Sequence, residues 1–246
     1  MSPSHVFPPI LPREDLPRRV LVLVAHPDDE IIGIGGLLAF HGRRGDEVHV
    51  LHATPGAEGD PEGRFEDLPR LRLAEVSRAL AGLGLAAPRC LGYGDGQLEG
   101  VQEDLTIRLR EIFVQLDPEL LYTFHPGEFH SDHRALARAA CDARDALTES
   151  CRVHLFGVNQ VPSFASLYDY TDLLEVKQEA LACFETQLAY LDFAAKVMHR
   201  DQAATVNIEI TSITHCEQVV PCSVSCWPLL IENSDEAQRL ALGGDA

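Results

Sequence analysis

Residues 20–25, VLVLVA, are apolar without a break and run straight into HPDDE, a histidine, a proline and three acids. An unbroken apolar run of this length suits a strand buried on both faces, which a parallel sheet covered by helices provides. The rest of the chain repeats the pattern. Helical periodicity over 31–44, 68–83, 101–116 and 131–147 alternates with strand-like runs over 47–52, 89–91, 120–124 and 152–158. A long helical stretch is expected over 171–198, and 205–210 with 217–227 read as a terminal β-ribbon. This alternation predicts an α/β, Rossmann-like, doubly wound and mostly parallel sheet with helices on both faces, strand order 3-2-1-4-5 and a C-terminal β-ribbon.

The expected organisation is a Pro-rich arm over 1–17, a catalytic domain over 18–200, the ribbon over 201–232 appended to the same domain, and a tail over 233–246 that is a short helix or disordered. A length of 246 residues suits one such domain. The formal charge of −18, from 38 acids against 20 Lys and Arg, argues against nucleic acid and anionic membranes as partners. No apolar run approaches the roughly 20 residues of a membrane span. The N-terminus lacks the basic and apolar regions of a signal peptide. Seven cysteines without a regular framework suit a reducing compartment, so a cytoplasmic location is expected.

In a doubly wound sheet the C-terminal ends of strands 1 and 4 border the switch-point crevice. HPDDE follows the first strand and HPGEFHSDH, residues 125–133, follows the fourth, so the two are expected to meet there. Together they supply His26, Asp28, Asp29, His130, Asp132 and His133. Two imidazoles and a carboxylate with an open fourth position make a catalytic zinc arrangement. A carboxylate left over can take a proton from water, and another can orient an imidazole. Helix capping alone accounts for the acids but not for the three histidines, because the positive end of a helix dipole disfavours imidazolium. Spacing alone makes Asp28 and Asp29 equal candidates as ligand. The same donor set also suits Fe(II) in facial-triad enzymes, although those ligands come from barrels. A non-catalytic sugar-binding module on this fold is the other alternative. Gly33, Gly35 and Gly36 do not spell a dinucleotide fingerprint, and close packing explains them.

AHPDDE followed by HSDH, with RLAEVSRALAGLG and LGYGDGQL between, resembles the LmbE/PIG-L-like N-acetylglucosaminyl deacetylases, a zinc-dependent family; the likeness covers roughly 18–190. The resemblance implies one catalytic Zn2+ held by His26, Asp29 and His133, with Asp28 as general base. It implies His130 as the imidazole that stabilises the oxyanion, with Asp132 holding it protonated. It further implies that Arg72 reaches the substrate pocket, where it is expected to bind sugar hydroxyls or a neighbouring acid, steadied by Glu75, and that Asp95 binds the sugar of the substrate. The expected reaction is hydrolysis of an N-acetylated or short N-acylated amino sugar or glycoside to a free amine and a carboxylic acid. The resemblance leaves homo-oligomerisation open. His125 is expected to be structural, Glu128 to tune His130 or face water, and the glycine- and acid-rich loop 54–69 to form a rim or lid. The spacing of His215, Cys216, Cys222 and Cys226 does not form zinc knuckles.

Overall fold

The computed structural model describes residues 8–241. β1 (Arg19–Val24), β2 (Glu47–His52), β3 (Arg89–Cys90), β4 (Leu120–Phe124) and β5 (Arg152–Phe156) are parallel, in the order β3-β2-β1-β4-β5. Apart from Arg19, every residue of β1 is buried, as its apolar run requires. The crossovers are helical: α1 (Asp29–Arg44), α2 (Leu68–Gly82), α3 (Gln102–Leu116) and α4 (Ser131–Asp142). α1 and α2 pack with α5 (Leu174–Leu181), whereas α3 and α4 pack together, with α8 (Trp227–Ala241) against α4. Among the described residues no helix is long and apolar enough to cross a membrane.

The C-terminal third departs from expectation in detail. β6 (Ser166–Asp169) was not anticipated, and β7 (Cys216–Ser223) lies antiparallel between β5 and β6. Segment 205–210 carries no strand: both edges of β7 are already filled. The stretch expected as one long helix is divided into α5, α6 (Glu185–Leu188) and α7 (Phe193–Ala203). Of the N-terminal arm, residues 1–7 lie outside the described residues; Ile10 bridges to Leu167 and Leu16 is buried in the core. The tail is helical through Ala241, and 242–246 lie outside the described residues.

Two glycines let α1 sit close to the sheet. A Cβ on Gly33 would fall 2.2 Å from the Phe156 ring, and one on Gly36 2.4 Å from Tyr170. Between them Ile34 leaves the helical region, at φ −139° and ψ 27°, so the helix is broken there. Three backbone groups around the break are taken up by side chains from later in the chain. Glu217 on β7 accepts from Gly36 N–H (2.7 Å) and Leu37 N–H (2.8 Å), and Arg200 donates to Ile32 C=O (2.7 Å). Fully buried Lys177 bridges Glu217 (2.6 Å) and Asp201 (2.7 Å), and Asp201 also accepts from the Tyr170 hydroxyl (2.6 Å).

Removing one partner of such a network leaves a buried charge uncompensated. Glu217→Ala is therefore expected to lower the unfolding free energy by about 3–5 kcal/mol in urea denaturation. A change below about 1 kcal/mol would mean that Glu217 does not hold α1.

Candidate metal centre

The turn from β1 into α1 is strained. Asp28 has φ 136° and ψ −27°, outside the regions that non-glycine residues favour. It stands at the cap position of α1, yet its side chain caps nothing. The carboxylate instead accepts from Arg72 Nη2 at 2.9 Å, and the same nitrogen donates to Pro27 C=O at 2.9 Å. Arg72 Nη1 donates to Gly56 C=O (3.0 Å), so this guanidinium, 4% exposed, pins the turn to loop 54–67.

The next residue, Asp29, turns the other way. Its Oδ2 accepts from the His26 backbone N–H at 2.8 Å and lies 3.4 Å from His26 Nδ1. Its Oδ1 is 3.3 Å from His133 Nε2, and His133 Nε2 is 3.3 Å from His26 Nδ1. Bonds of about 2.0–2.2 Å in a tetrahedral zinc site place neighbouring donor atoms about 3.3–3.6 Å apart. Asp29 thus reaches both imidazoles, one with each oxygen, and the two imidazole nitrogens stand 3.3 Å apart, close to that spacing. His26, His130 and His133 also bring donor atoms within 4.8 Å of one another, as do His26, Asp95 and Asp132.

The far side of each imidazole is held. His133 donates from Nδ1 to Glu128 at 2.9 Å and stacks on Phe124, with centroids 4.0 Å apart and planes 2° apart. His26 donates from Nε2 to Asp95 at 2.9 Å, with Asp132 at 3.3 Å. Such partners fix which ring nitrogen is free to face a metal. Glu128 is the member that the sequence placed wrongly. It neither faces water nor touches His130; it is buried, and it also accepts from the backbone of Val158, Asn159 and Gln160.

Asp132 is also placed differently from expectation. Its carboxylate accepts from Gly96 N–H (2.7 Å) and Leu98 N–H (3.1 Å) and faces His26 rather than His130. The His130 ring packs against those of His26 and His133, and its Nδ1 accepts from the Asp132 backbone N–H at 3.2 Å. With Nδ1 accepting, the proton of neutral His130 sits on Nε2. Glu75 does not steady Arg72: it accepts from the Thr186 N–H (2.8 Å) and hydroxyl (2.7 Å) at the start of α6. Asp95 is held between His26 and the Glu58 N–H (2.9 Å). His125 accepts from Gly127 N–H and stays off the cluster.

The electrostatics call for positive charge at this point. Burial opposes protonation of His133, but Asp29 and Glu128 outweigh it and push its pKa up to about 9. Burial likewise opposes protonation of His26, yet Asp132, Asp29 and Asp95 carry it well above the ordinary imidazole value. Burial works to raise Asp29, but the two imidazoles hold it well below the usual carboxylate range. Asp95 is held at about 2 by His26, against the effect of burial. Asp28 differs: burial pushes it up to about 6, with Arg72 opposing and Asp29 adding to the rise. His130 is lowered by burial and by the charges of His26 and His133. A divalent cation satisfies the carboxylates that otherwise draw protons onto these imidazoles.

The cluster opens into a cavity of about 400 Å³, also bordered by Glu58, Asn159, Gln187 and Tyr190. Sequence periodicity gave no sign of the last two, since it ran one helix through them. Loop 54–67 is clasped across the cavity: Asp60 accepts from the Tyr190 hydroxyl and Arg64 donates to Ala189 C=O at 3.0 Å.

A buried His/Asp cluster at the switch point of a parallel sheet marks an α/β protein with a candidate metal centre. Comparison with known proteins agrees. The family model for GlcNAc-PI de-N-acetylase, PIG-L, matches residues 21–144. The chain is 31% identical over 182 residues to the probable N-acetyl-alpha-D-glucosaminyl L-malate deacetylase 2 of Bacillus subtilis, covering 68% of this chain and 82% of that protein. It is 33% identical over 157 residues to the 1D-myo-inositol 2-acetamido-2-deoxy-alpha-D-glucopyranoside deacetylase of Rhodococcus erythropolis, covering 51% of this chain and only 53% of that relative. The fold superposes on N,N'-diacetylchitobiose deacetylase from Pyrococcus horikoshii with a TM-score of 0.69 at 22% identity, over 85% of both chains. The chain belongs to the PIG-L family of de-N-acetylases.

In metal-stripped protein, Arg72→Gln removes the cation that opposes burial at Asp28. The Asp28 titration, followed by carboxyl-carbon NMR, is expected to move upward from about 6. A downward move or no change would mean that Arg72 does not control this carboxyl.

Proposed function

We propose that this chain is a zinc-dependent N-deacetylase of N-acetylglucosaminyl glycosides, releasing the amine and acetate. The observation that carries this reading is the convergence of His26 Nδ1 and His133 Nε2, 3.3 Å apart, on Asp29, whose Oδ2 lies 3.4 Å from the first and Oδ1 3.3 Å from the second, beside a carboxyl clamped by Arg72. His26, Asp29 and His133 are the proposed ligands. Zinc held there supplies Lewis acidity toward the amide carbonyl and acidifies water.

The chain's own residues do the rest. Asp28, whose carboxyl burial makes more basic against the pull of Arg72, is suited to accept a proton. It takes that proton as water adds to the carbonyl carbon, and gives it to the amine nitrogen as the C–N bond breaks. Arg72 is the positioning residue for Asp28, and of its two expected partners, sugar hydroxyls or a neighbouring acid, the contact at 2.9 Å supports the second. His130 donates from Nε2 to the developing oxyanion while itself neutral, without the protonation that a carboxylate partner was expected to give. One such donor is commonly worth about 3 kcal/mol. Asp95 and Asp132 orient His26, and Glu128 orients His133. Glu58, Asn159 and Gln187 are placed to meet sugar hydroxyls.

Elemental analysis of purified protein is expected to give one zinc per chain, and N-acetylglucosaminides to release amine. Iron in place of zinc, or zinc without amine release, defeats the reading. Asp28→Asn should retain zinc and lose turnover by about 10²–10⁴-fold; unchanged turnover would remove Asp28 as base. His133→Ala should lose zinc on dialysis, and full occupancy in that variant would overturn its assignment as a ligand.

A further inference from the structure

Of the three acids in HPDDE, the third has no part in the site described above. Glu30 lies in the first turn of α1 and is completely buried. An acid at that place suits the helix dipole, but the dipole requires neither burial nor a partner. Glu30 has both. Its Oε2 accepts from Nε2 of His52, the last residue of β2, at 3.1 Å, and from the Asp28 backbone N–H at 3.4 Å. His52 is equally buried. Glu30 Oε1 and His52 Nδ1 have no hydrogen-bond partner among the described residues. Apolar side chains of similar size would strand no polar atoms here, so stability alone does not account for the pair.

The contact with Asp28 gives the pair a task. In a capping box the cap residue and an acid three residues on take each other's backbone N–H. α1 has only the returning half, made by an acid two residues on. Glu30 takes the N–H of Asp28, whereas the Asp28 side chain caps nothing and meets Arg72 at 2.9 Å. That arrangement needs φ 136° at Asp28, a strained value that persists only when the surroundings over-determine it. On one side of the residue, the Asp28 C=O accepts from the N–H groups of Ile31 (3.0 Å) and Ile32 (2.9 Å). Glu30 holds the other side, and His52 holds Glu30. The support is firm, because His52 C=O accepts from Leu91 N–H (2.8 Å) and Ala53 N–H donates to Val24 C=O (2.8 Å), which ties the end of β2 to both of its neighbours.

We infer that Glu30, oriented by His52, is a positioning residue for the proposed base. It fixes the backbone of Asp28 so that the carboxylate stays on Arg72 at the edge of the catalytic cavity. The kinetic consequence rests on the deacetylase reading; the hold on the turn is open to measurement without metal or substrate.

In metal-stripped protein, Glu30→Leu is expected to speed hydrogen exchange at the Asp28 amide about tenfold or more, while the amides of Leu21, Val22 and Leu23 keep their parent rates. Glu30→Gln keeps an oxygen for both N–H groups and puts its amide where Oε1 has no partner, so exchange should stay slow. In zinc-loaded protein, Glu30→Leu should lower kcat on an N-acetylglucosaminide about 10–100-fold, with KM within about twofold of the parent and one zinc per chain, and Glu30→Gln should recover most of the loss. On an Asp28→Asn background the same Glu30→Leu change should cost less than about twofold, because the group that it positions is gone. Should Glu30→Leu fail to fold, His52→Leu is expected to show the same effects at about 3–10-fold. Unchanged exchange at Asp28, a kcat loss that multiplies in full onto Asp28→Asn, or loss of zinc in place of kcat would each overturn the inference. A parent protein that releases no amine removes the deacetylase reading and the kinetic role with it, whereas the exchange rates still decide whether Glu30 holds the turn.

Discussion

The centre is organised by one carboxylate. Asp29 takes the His26 backbone N–H and faces the free nitrogens of two imidazoles that are more than a hundred residues apart in sequence. The first contact shapes the turn out of β1; the others draw β1 and β4 to a common point. Because both contacts come from one side chain, local backbone geometry and long-range ligand geometry cannot vary independently. Asp28 is forced outward by the same turn, into its positive φ and onto Arg72. Neighbouring acids thereby acquire opposite electrostatics: Asp29 is held well below the ordinary range and Asp28 is raised to about 6.

That division is the clearest case of what could not be read from residues alone. The motifs at the ends of β1 and β4 were legible because polar residues interrupt apolar strands at positions that a parallel sheet brings together, and the strand order followed from the crossovers. HPDDE, by contrast, presents adjacent acids whose roles depend on a backbone torsion. Glu128 looked like a loop acid next to HSDH, and only the approach of residues 158–160 buries it. Asp132 was paired with His130 by the family resemblance, yet it reaches His26 across the crevice.

Errors in the C-terminal third have a different origin. Residues 171–198 keep helical periodicity, but Phe184 leaves the helical region, and the N–H released at Thr186 is taken by Glu75 on α2. The alternating segment 205–210 has the composition of a strand, but its expected partner, β7, is already paired on both sides by β5 and β6. Local pattern records what a segment can do; tertiary partners decide whether it does so.

The break in α1 at Ile34 ties the first helix to the last part of the chain, through Lys177, Arg200 and Glu217. On the ribosome these partners emerge long after the helix they complete. α1 thus remains without its final hydrogen bonds while most of the parallel sheet is being made. The metal-binding turn, which immediately precedes that helix, therefore leans on side chains synthesised 168–181 positions after the backbone groups they hold.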